Sequence, residues 1–267
     1  MRERGFSVTR LPGFATIAVA VFVLLYLPIV TLVIYSFNTG TSPSTWEGFS
    51  LHWYALAWQN SQVKDATVVS LVVASFAAVI STAVATMAAL GTTRQKAFRG
   101  QTLIYVMINQ PLMVPEIVTA VALLLVFAVV RQWTGYTGLG YLILAHSAFC
   151  IPFAYLPIRA RLESMDLTLE TAAADLYASR WQTFRRVTLP LLAPAVAAGA
   201  MLAFVISLDD VVITEFVKSP GQDTLPTYML GQLRRAMNPD VNAISTMLLG
   251  VTLVLLSLFY MITRKRD

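Results

Sequence analysis

The chain has 267 residues, of which 57% are hydrophobic and only 12% are charged. Soluble domains carry charge on about a quarter of their residues, so this composition excludes an ordinary soluble protein. Uncharged apolar runs recur along the chain, and many reach the length of about 20 residues that a helix needs to cross a bilayer. The net charge of +5 is spread over short clusters beside these runs, so we expect no nucleic-acid partner.

The apolar runs predict an all-α polytopic membrane protein with six transmembrane helices in a single domain over residues 1–267. The first run follows Arg2, Arg4 and Arg10, but it is too long for the apolar region of a signal peptide, so we interpret it as an uncleaved span. The aromatic-rich linker 38–64 is typical of an interfacial loop and can contain a short surface helix. The predicted spans cover about residues 11–37, 66–90, 102–130, 139–158, 189–213 and 242–262.

The basic residues predict how the chain is oriented in the membrane. If the N-terminus is cytoplasmic and there are six spans, the inside segments are the two tails and residues 91–101 and 159–188. These four segments contain 14 of the 19 Lys and Arg residues. Cytoplasmic segments are enriched in Lys and Arg, so the count places both termini and the loop 159–188 in the cytoplasm.

The cytoplasmic loop 159–188 has the pattern of two short helices joined by a turn. Asp166 is a suitable N-cap, and apolar residues at helical spacing predict an amphipathic helix over 167–177. Ser179 can cap a second helix over 180–188. The small residues on the first helix allow close approach by a groove of a partner protein. A loop that lies on the membrane surface fits the same pattern equally well.

This loop resembles the coupling loop of ABC-importer permeases, which reads Glu-Ala-Ala, three residues, Gly, nine residues, a branched aliphatic residue, any residue and Leu-Pro. The matching positions are Thr171, Ala172, Ala173, Tyr177, Val187, Leu189 and Pro190. The resemblance implies contact with an ATPase through Glu170, Thr171, Ala172, Ala173, Asp175, Leu176, Tyr177 and Ala178.

Two positions depart from the pattern of the coupling loop. Thr171 occupies the acidic position, and the preceding Glu170 could supply an acid from an adjacent face of the helix. Tyr177 occupies the glycine position, where a positive φ is costly for tyrosine, so the turn is either strained or shaped differently. We expect Tyr177 either to fill a pocket in the ATPase groove or to extend the first helix by one residue.

Further segments along the chain carry a closer resemblance: LVIYSFN (32–38), LHWY (51–54), FRG (98–100), PLMVPEIV (111–118), ILAH (143–146), IRARLESMD (158–166), the loop 169–190, LAFVISLDDVVIT (202–214), TLP (224–226) and NPDVNAIST (238–246). In these segments the chain resembles the second permease of polyamine (spermidine/putrescine) ABC importers. The resemblance implies the six-helix type I importer fold in the bacterial inner membrane, with lipid around it. It also implies a heterodimer with a homologous permease, two ATPase subunits that bind ATP and Mg²⁺, and a periplasmic substrate-binding protein.

Ionisable residues inside predicted spans are candidates for a substrate pathway, because charge is costly there. Pro111 and Pro115 predict a break in span three, close to the first of these residues. Counting 1.5 Å per residue from the inner ends places the acids of spans three and five in the outer half of the membrane, where they would attract a polycation. The candidates are Glu116, His146, Asp209 and Asp210.

Each candidate also has a structural interpretation. Asp209 and Asp210 could mark the water interface or pair with Arg234 or Arg235. Pro115 could place Glu116 at an interfacial break. His146 could be a packed residue that hydrogen-bonds to a neighbouring helix.

No segment has a glycine-rich phosphate loop or a nucleophile paired with a base, so we expect a subunit without catalytic activity. Cys150 is the only cysteine, so we expect no intrachain disulfide, and no metal site because it has no thiolate partners. Three alternatives stay open. The cargo could be another small cationic solute such as an opine or an aminophosphonate. An ion-coupled secondary transporter could use Glu116 or Asp209, although we find no inverted repeat. A structural or signalling membrane protein is the third.

Overall fold

A computed structural model of the protein describes residues 13–42, 45–235 and 239–264. Residues 11 and 12 of the first predicted span, the arginines that precede it and residues 265–267 of the basic C-terminal tail lie outside the described residues. The helices are α1 (Phe14–Tyr35), α2 (His52–Gln59), α3 (Ser61–Thr93), α4 (Gln101–Met113), α5 (Glu116–Thr134), α6 (Gly140–Ser164), α7 (Thr168–Asp175), α8 (Arg180–Thr183), α9 (Leu189–Asp209), α10 (Val212–Val217), α11 (Leu225–Arg235) and α12 (Asp240–Arg264).

Among the described residues, six helical stretches are long and apolar enough to cross a membrane, as the sequence predicts: Phe14–Tyr35, Ser61–Thr93, Glu116–Thr134, Gly140–Ser164, Arg180–Asp209 and Asp240–Ser257. The described residues divide into two compact units, residues 13–60 with 232–250 and residues 61–231 with 251–264. The single domain predicted over the whole chain stays a prediction.

The first unit contains α1 and the linker that follows it. No residue of α1 is buried, as expected for a helix that faces lipid or another membrane helix. Asn38 organises the linker: its side chain accepts from the Glu47 N–H at 2.8 Å and donates to the Thr45 carbonyl at 2.8 Å. The indole N–H of Trp53 donates to the Asn38 carbonyl. The short helix expected in this linker is confirmed as α2.

The core of the second unit is formed by α3, α6 and α9. The buried residues of α3 recur every three or four positions and most are small, so neighbouring backbones approach closely: Val63, Ala66, Ser70, Val73, Ala74, Ala77, Ala78, Ser81, Thr82, Ala85 and Ala89. On α9, Gly199 lies directly against the backbone of Ala154 on α6. Close packing of this kind is the main source of helix association in lipid.

Two apolar segments are interrupted where the sequence contains helix-breaking or polar residues. The break predicted in span three is confirmed: α4 ends at Met113 and α5 begins at Glu116, with Val114 and Pro115 extended between them. Span five was predicted to continue to residue 213, but α9 ends at Asp209, and the chain is extended at Asp210 before α10 begins. The Asp210 carboxylate accepts a hydrogen bond from the backbone of α10, which explains this second break.

Three helices extend beyond their predicted bounds. α3 begins at Ser61 and ends at Thr93, and it therefore includes Lys64 and Asp65. α6 continues through Arg159 to Ser164, six residues into the segment assigned to the loop. α12 covers Asp240–Arg264 instead of 242–262. Charged residues at a helix end reach water or headgroups with long side chains, so charge alone does not end a membrane helix.

Candidate functional site

The first loop helix is shorter than predicted, because α7 covers Thr168–Asp175 instead of 167–177. Asp166 was predicted as its N-cap, but the cap position is Leu167. The Asp166 carboxylate still accepts a hydrogen bond from the Thr168 N–H at 2.9 Å. This hydrogen bond lowers the pKa of the exposed Asp166 carboxyl below its ordinary value. Asp166 therefore satisfies one of the free N–H groups at the start of α7.

Tyr177 adopts the left-handed conformation, with φ at 60°, and among the described residues other than glycine it is alone in having a positive φ. Its N–H donates to the Ala174 carbonyl at 2.9 Å, and the Ala178 N–H donates to the Ala173 carbonyl at 3.0 Å. This pair of hydrogen bonds is the Schellman motif that commonly ends a helix at glycine. Tyr177 therefore does not extend α7, and that alternative is wrong. The turn keeps the geometry of a glycine turn at the cost of strain.

The tip of the loop exposes large apolar side chains toward solvent. The exposed fraction is 97% for Tyr177, 82% for Leu176 and 65% for Trp181. An apolar cluster at the end of a short amphipathic helix is suited to insertion into a groove of another protein. Whether Tyr177 fills a pocket in an ATPase stays a prediction.

Replacing Tyr177 with glycine is expected to stabilise the turn after α7. An L-residue in the left-handed region costs about 1–2 kcal/mol, and glycine removes that steric cost while adding backbone entropy. A net gain of about 1 kcal/mol slows amide exchange at residues 177 and 178 about fivefold, which hydrogen-exchange mass spectrometry of the purified protein can measure.

Leu176→Gly is the matched control for this variant. Leu176 has a φ of −86°, which leucine tolerates, so glycine there adds only entropy cost and is expected to accelerate exchange. Faster exchange in Tyr177→Gly than in the wild type would contradict the account of the turn.

The second loop helix begins as predicted and then departs from the prediction. Ser179 forms a complete capping box: its hydroxyl accepts from the Gln182 N–H, and the Gln182 side chain accepts from the Ser179 N–H. However, α8 ends at Thr183 and passes into a π-helical segment, Phe184–Thr188, that leads into α9. Pro190 lacks an N–H and cannot bond the carbonyl four residues earlier, so the widened turn lies where the α-helical ladder is broken.

Glu170 turns toward the protein instead of away from it. Its Oε1 atom lies 3.1 Å from Arg94 Nε and 3.0 Å from the Thr188 hydroxyl. The sequence suggested that Glu170 could supply the acid that Thr171 lacks, whereas Thr171 is exposed and hydrogen-bonds the Leu167 carbonyl of its own helix. Glu170 is therefore paired with Arg94 of the same chain.

A second polar cluster lies between α6, α9 and α10 and contains two of the predicted pathway residues. His146 is 1% exposed, with Nδ1 at 2.7 Å from the Ser207 hydroxyl and Nε2 at 2.9 Å from the Thr214 hydroxyl. The Thr214 hydroxyl donates to Asp210 Oδ1 at 3.0 Å. The Thr214 hydroxyl has a single proton, which it donates to Asp210. His146 Nε2 must therefore carry a proton and donate it to the Thr214 oxygen. The result is a chain of hydrogen bonds that ends on Asp210.

Asp210 also caps the start of α10. Its Oδ1 atom accepts from the Thr214 N–H at 2.9 Å, which satisfies a free donor of the first turn. Its other oxygen, Oδ2, is buried and accepts from no N–H, amide or hydroxyl group among the described residues. The Glu116 carboxyl at the start of α5 comes within hydrogen-bonding reach of the Asp210 carboxyl. Two carboxyl groups from different helices therefore converge at the two helix breaks.

The four candidate pathway residues do not all lie together. His146 and Asp210 belong to one cluster, which Glu116 of α5 approaches, while Asp209 is exposed at the end of α9. Asp210 is bonded to Thr214 and lies 3.5 Å from His146, so it has partners within the unit. His146 makes the interhelical hydrogen bonds proposed as its structural interpretation. Substrate contact by any of the four stays a prediction.

The sequence analysis missed four residues that complete these clusters. Ser207 and Thr214 lie in the segment SLDDVVIT, in which the sequence analysis selected only the two acids. Thr188 and Arg94 had no local indication, because their partners lie on other helices.

The chain belongs to the family described as binding-protein-dependent transport system inner membrane component, which matches residues 81–266. It is therefore a multi-pass inner-membrane permease of such a system. The chain is 37% identical to the putrescine transport system permease protein PotI of Escherichia coli (strain K12) over 91% of its own length and 88% of that protein. It is 38% identical to the spermidine/putrescine transport system permease protein PotC of Haemophilus influenzae, covering 92% and 95%. With PotC of E. coli (strain K12) it shares 35% identity over 95% and 94%.

Solved structures show the same fold. A chain of a bacterial ABC transporter that imports the acidic polysaccharide alginate aligns with a TM-score of 0.72 at 17% identity and covers 94% of both chains. A chain of a bacterial alginate transporter in complex with its pentasaccharide-bound periplasmic protein aligns with a TM-score of 0.74, also at 17% identity, over 94% and 93%. At this identity the likeness establishes the fold of an ABC importer permease.

Proposed function

We propose that this chain is one of two permease subunits of an ATP-driven importer for polyamines of the putrescine and spermidine class. The observation that carries the proposal is its identity of 35–38% to PotI and PotC over at least 88% of both chains. In this assembly a homologous permease forms the other half of the pathway. Two ATPase subunits bind ATP and Mg²⁺, and a periplasmic protein delivers the substrate.

The acidic cluster supports a cationic cargo. Glu116 and Asp210 lie close together, and Asp210 Oδ2 has an unused capacity to accept a hydrogen bond. An amine supplies both positive charge and N–H donors, so it satisfies such a pair, whereas an oxyanion is repelled. Asp209, exposed one residue earlier, and His146, which bonds the same cluster, complete the proposed pathway.

The loop supports coupling to a separate ATPase. Leu176 and Tyr177 project from the end of α7, and Ala172 and Ala173 leave its surface narrow enough for a groove. Thr171, Asp175 and Ala178 flank this surface, and the hydrogen bond between Glu170 and Arg94 attaches α7 to the rest of the chain. The distribution of Lys and Arg along the sequence favours a cytoplasmic location for the loop and for both termini. ATP hydrolysis outside this chain then drives alternating access through the loop.

Reconstitution tests this function. The permease is co-purified with its partner permease and ATPase, placed in proteoliposomes with the cognate periplasmic protein, and assayed with labelled putrescine and spermidine. We expect uptake that requires ATP and disappears when residues 171–177 are replaced by a glycine–serine linker of equal length.

Each other outcome identifies a different function. Uptake of another amine in place of polyamines, matched by its binding to the periplasmic protein, would indicate an ATP-driven importer with a different substrate. Uptake driven by a proton or sodium gradient without ATP would indicate a secondary transporter. No uptake of any solute under either driving force would contradict a transport function.

A further inference from the structure

The helix α7 has no buried side chain, although it is the element proposed to meet the ATPase. Apolar burial therefore contributes little to holding it against the membrane helices. Within the described residues, the side-chain hydrogen bonds from α7 to residues distant in the sequence are those of Glu170. The Glu170 carboxylate is therefore the main side-chain link between α7 and the membrane helices.

That carboxylate belongs to a four-residue junction formed by Arg94, Leu162, Glu170 and Thr188. Glu170 Oε1 accepts from Arg94 Nε at 3.1 Å and from the Thr188 hydroxyl at 3.0 Å. Arg94 Nη1 donates to the Leu162 carbonyl at 2.9 Å. Thr188 is buried, and the side chains of Arg94 and Glu170 are only 17% and 21% exposed. The junction is therefore largely shielded from water, which strengthens its charged hydrogen bonds.

The junction joins α7 to each helix of the core. Arg94 directly follows α3, and its N–H continues the hydrogen bonding of that helix. Leu162 lies in the last turn of α6, where carbonyl groups lack partners within the helix. Thr188 ends the π-helical segment and directly precedes α9. A displacement of Glu170 thus acts on α3 and α9 directly and on α6 through Arg94.

The pairing of Arg94 with Glu170 uses one point of contact. Arginine and carboxylate groups often pair through two parallel hydrogen bonds, which fix their relative orientation. Here Nε alone meets Glu170, while Nη2 is buried without an acceptor among the described residues. A single bond lets α7 rotate about the contact while the contact itself holds.

We propose that Arg94 and Glu170 are positioning residues that transmit the movement of α7 to the helices α3, α6 and α9. This inference rests on the proposed function, because the movement comes from an ATPase bound to α7. In this role Glu170 does not contact the ATPase. It connects the exposed surface of α7, which meets the ATPase, to the membrane helices α3, α6 and α9.

The test compares import with ATP hydrolysis in proteoliposomes that contain the complete transporter. Arg94→Met and Glu170→Gln are each expected to lower the amount of solute imported per ATP about tenfold, the size of one charged hydrogen bond. The double variant is expected to lose less than the two single losses combined, because both substitutions weaken the same contact between Arg94 and Glu170. Arg94→Lys, which keeps the charge and one bond, is expected to recover part of the loss. Glu163→Gln removes the exposed pair with Arg159 and is the control, with less than a twofold change.

Amide exchange of residues 168–176 in the same complexes is the second measurement. We expect exchange at least fivefold faster in Arg94→Met and Glu170→Gln than in the wild type. Unchanged exchange, an unchanged ratio of import to ATP hydrolysis, or import and hydrolysis that fall in proportion would each overturn the transmission role. No ATP-driven uptake by the wild type would instead overturn the proposed function and the inference that rests on it.

Discussion

Replacing Gly199 with leucine is expected to prevent assembly of a folded permease. A Cβ atom at Gly199 would lie 2.9 Å from the Ala154 carbonyl oxygen and 3.2 Å from the Ala154 Cα atom. Both are backbone atoms, which cannot rotate away as a flexible side chain can, so α6 and α9 must move apart. Overpacking of this kind costs about 1–3 kcal/mol even for small insertions, and leucine adds three further carbons.

The stability of the purified permease and its amount in the membrane measure this effect. Gly199→Ala is expected to lower the melting temperature moderately, and Gly199→Leu to leave little folded protein. Gly250 is the control, because it also lies in a long helix and a Cβ there meets no atom within 4 Å. Gly250→Ala is expected to be neutral or stabilising by up to about 1 kcal/mol. Normal yield and melting of Gly199→Leu would show that the close approach of α6 and α9 is dispensable.

Neutralising the two converging carboxyl groups is expected to slow transport strongly. At about 4 Å and an effective dielectric constant of about 20, a carboxylate attracts an ammonium group by roughly 4 kcal/mol. Part of this is offset by desolvation, so Glu116→Gln and Asp210→Asn are each expected to slow polyamine import about tenfold or more. The double variant is expected to be slower than either.

The Asp210→Asn variant distinguishes the effect of the carboxylate charge from the effect of the hydrogen bonds that Asp210 makes to α10. Its amide oxygen can still accept from the N–H and hydroxyl of Thr214, so the cap of α10 is preserved, whereas Asp210→Ala would leave both donors unpaired. Asp209→Asn neutralises the exposed neighbour and is expected to have a smaller effect. Initial uptake rates in proteoliposomes, normalised to assembled transporter, are the measurement. Wild-type rates in Glu116→Gln, Asp209→Asn and Asp210→Asn would refute an acidic pathway.

Much of the fold follows from local properties of the sequence. Six spans follow from apolar length, the interruption before Glu116 from Pro115, and the start of α8 from Ser179. Helix ends were harder to predict, because the charged residues that suggested them do not interrupt the helical backbone. Lys64 is exposed on α3, and Arg159 pairs with Glu163 on α6.

The clusters of the candidate site depend on distant contacts. Arg94 and Glu170 are separated by 76 positions, and His146 and Thr214 by 68. No periodicity or motif links such residues, since the packing of α3, α6 and α9 brings them together. Tyr177 is a different case: its residue type argues against a left-handed turn, but two backbone hydrogen bonds at the end of α7 hold it there.

The π-helical segment has a mechanical consequence for span five. Because α8, this segment and α9 form one continuous helical stretch, no flexible joint separates the loop from the end of α9. The 21 residues of α9 make a rod about 30 Å long. If that rod tilts about Thr188 by roughly 10°, its far end moves by about 5 Å. Asp209 and Asp210 lie at that far end, where a small angular change at the loop becomes a displacement comparable to the width of an amine.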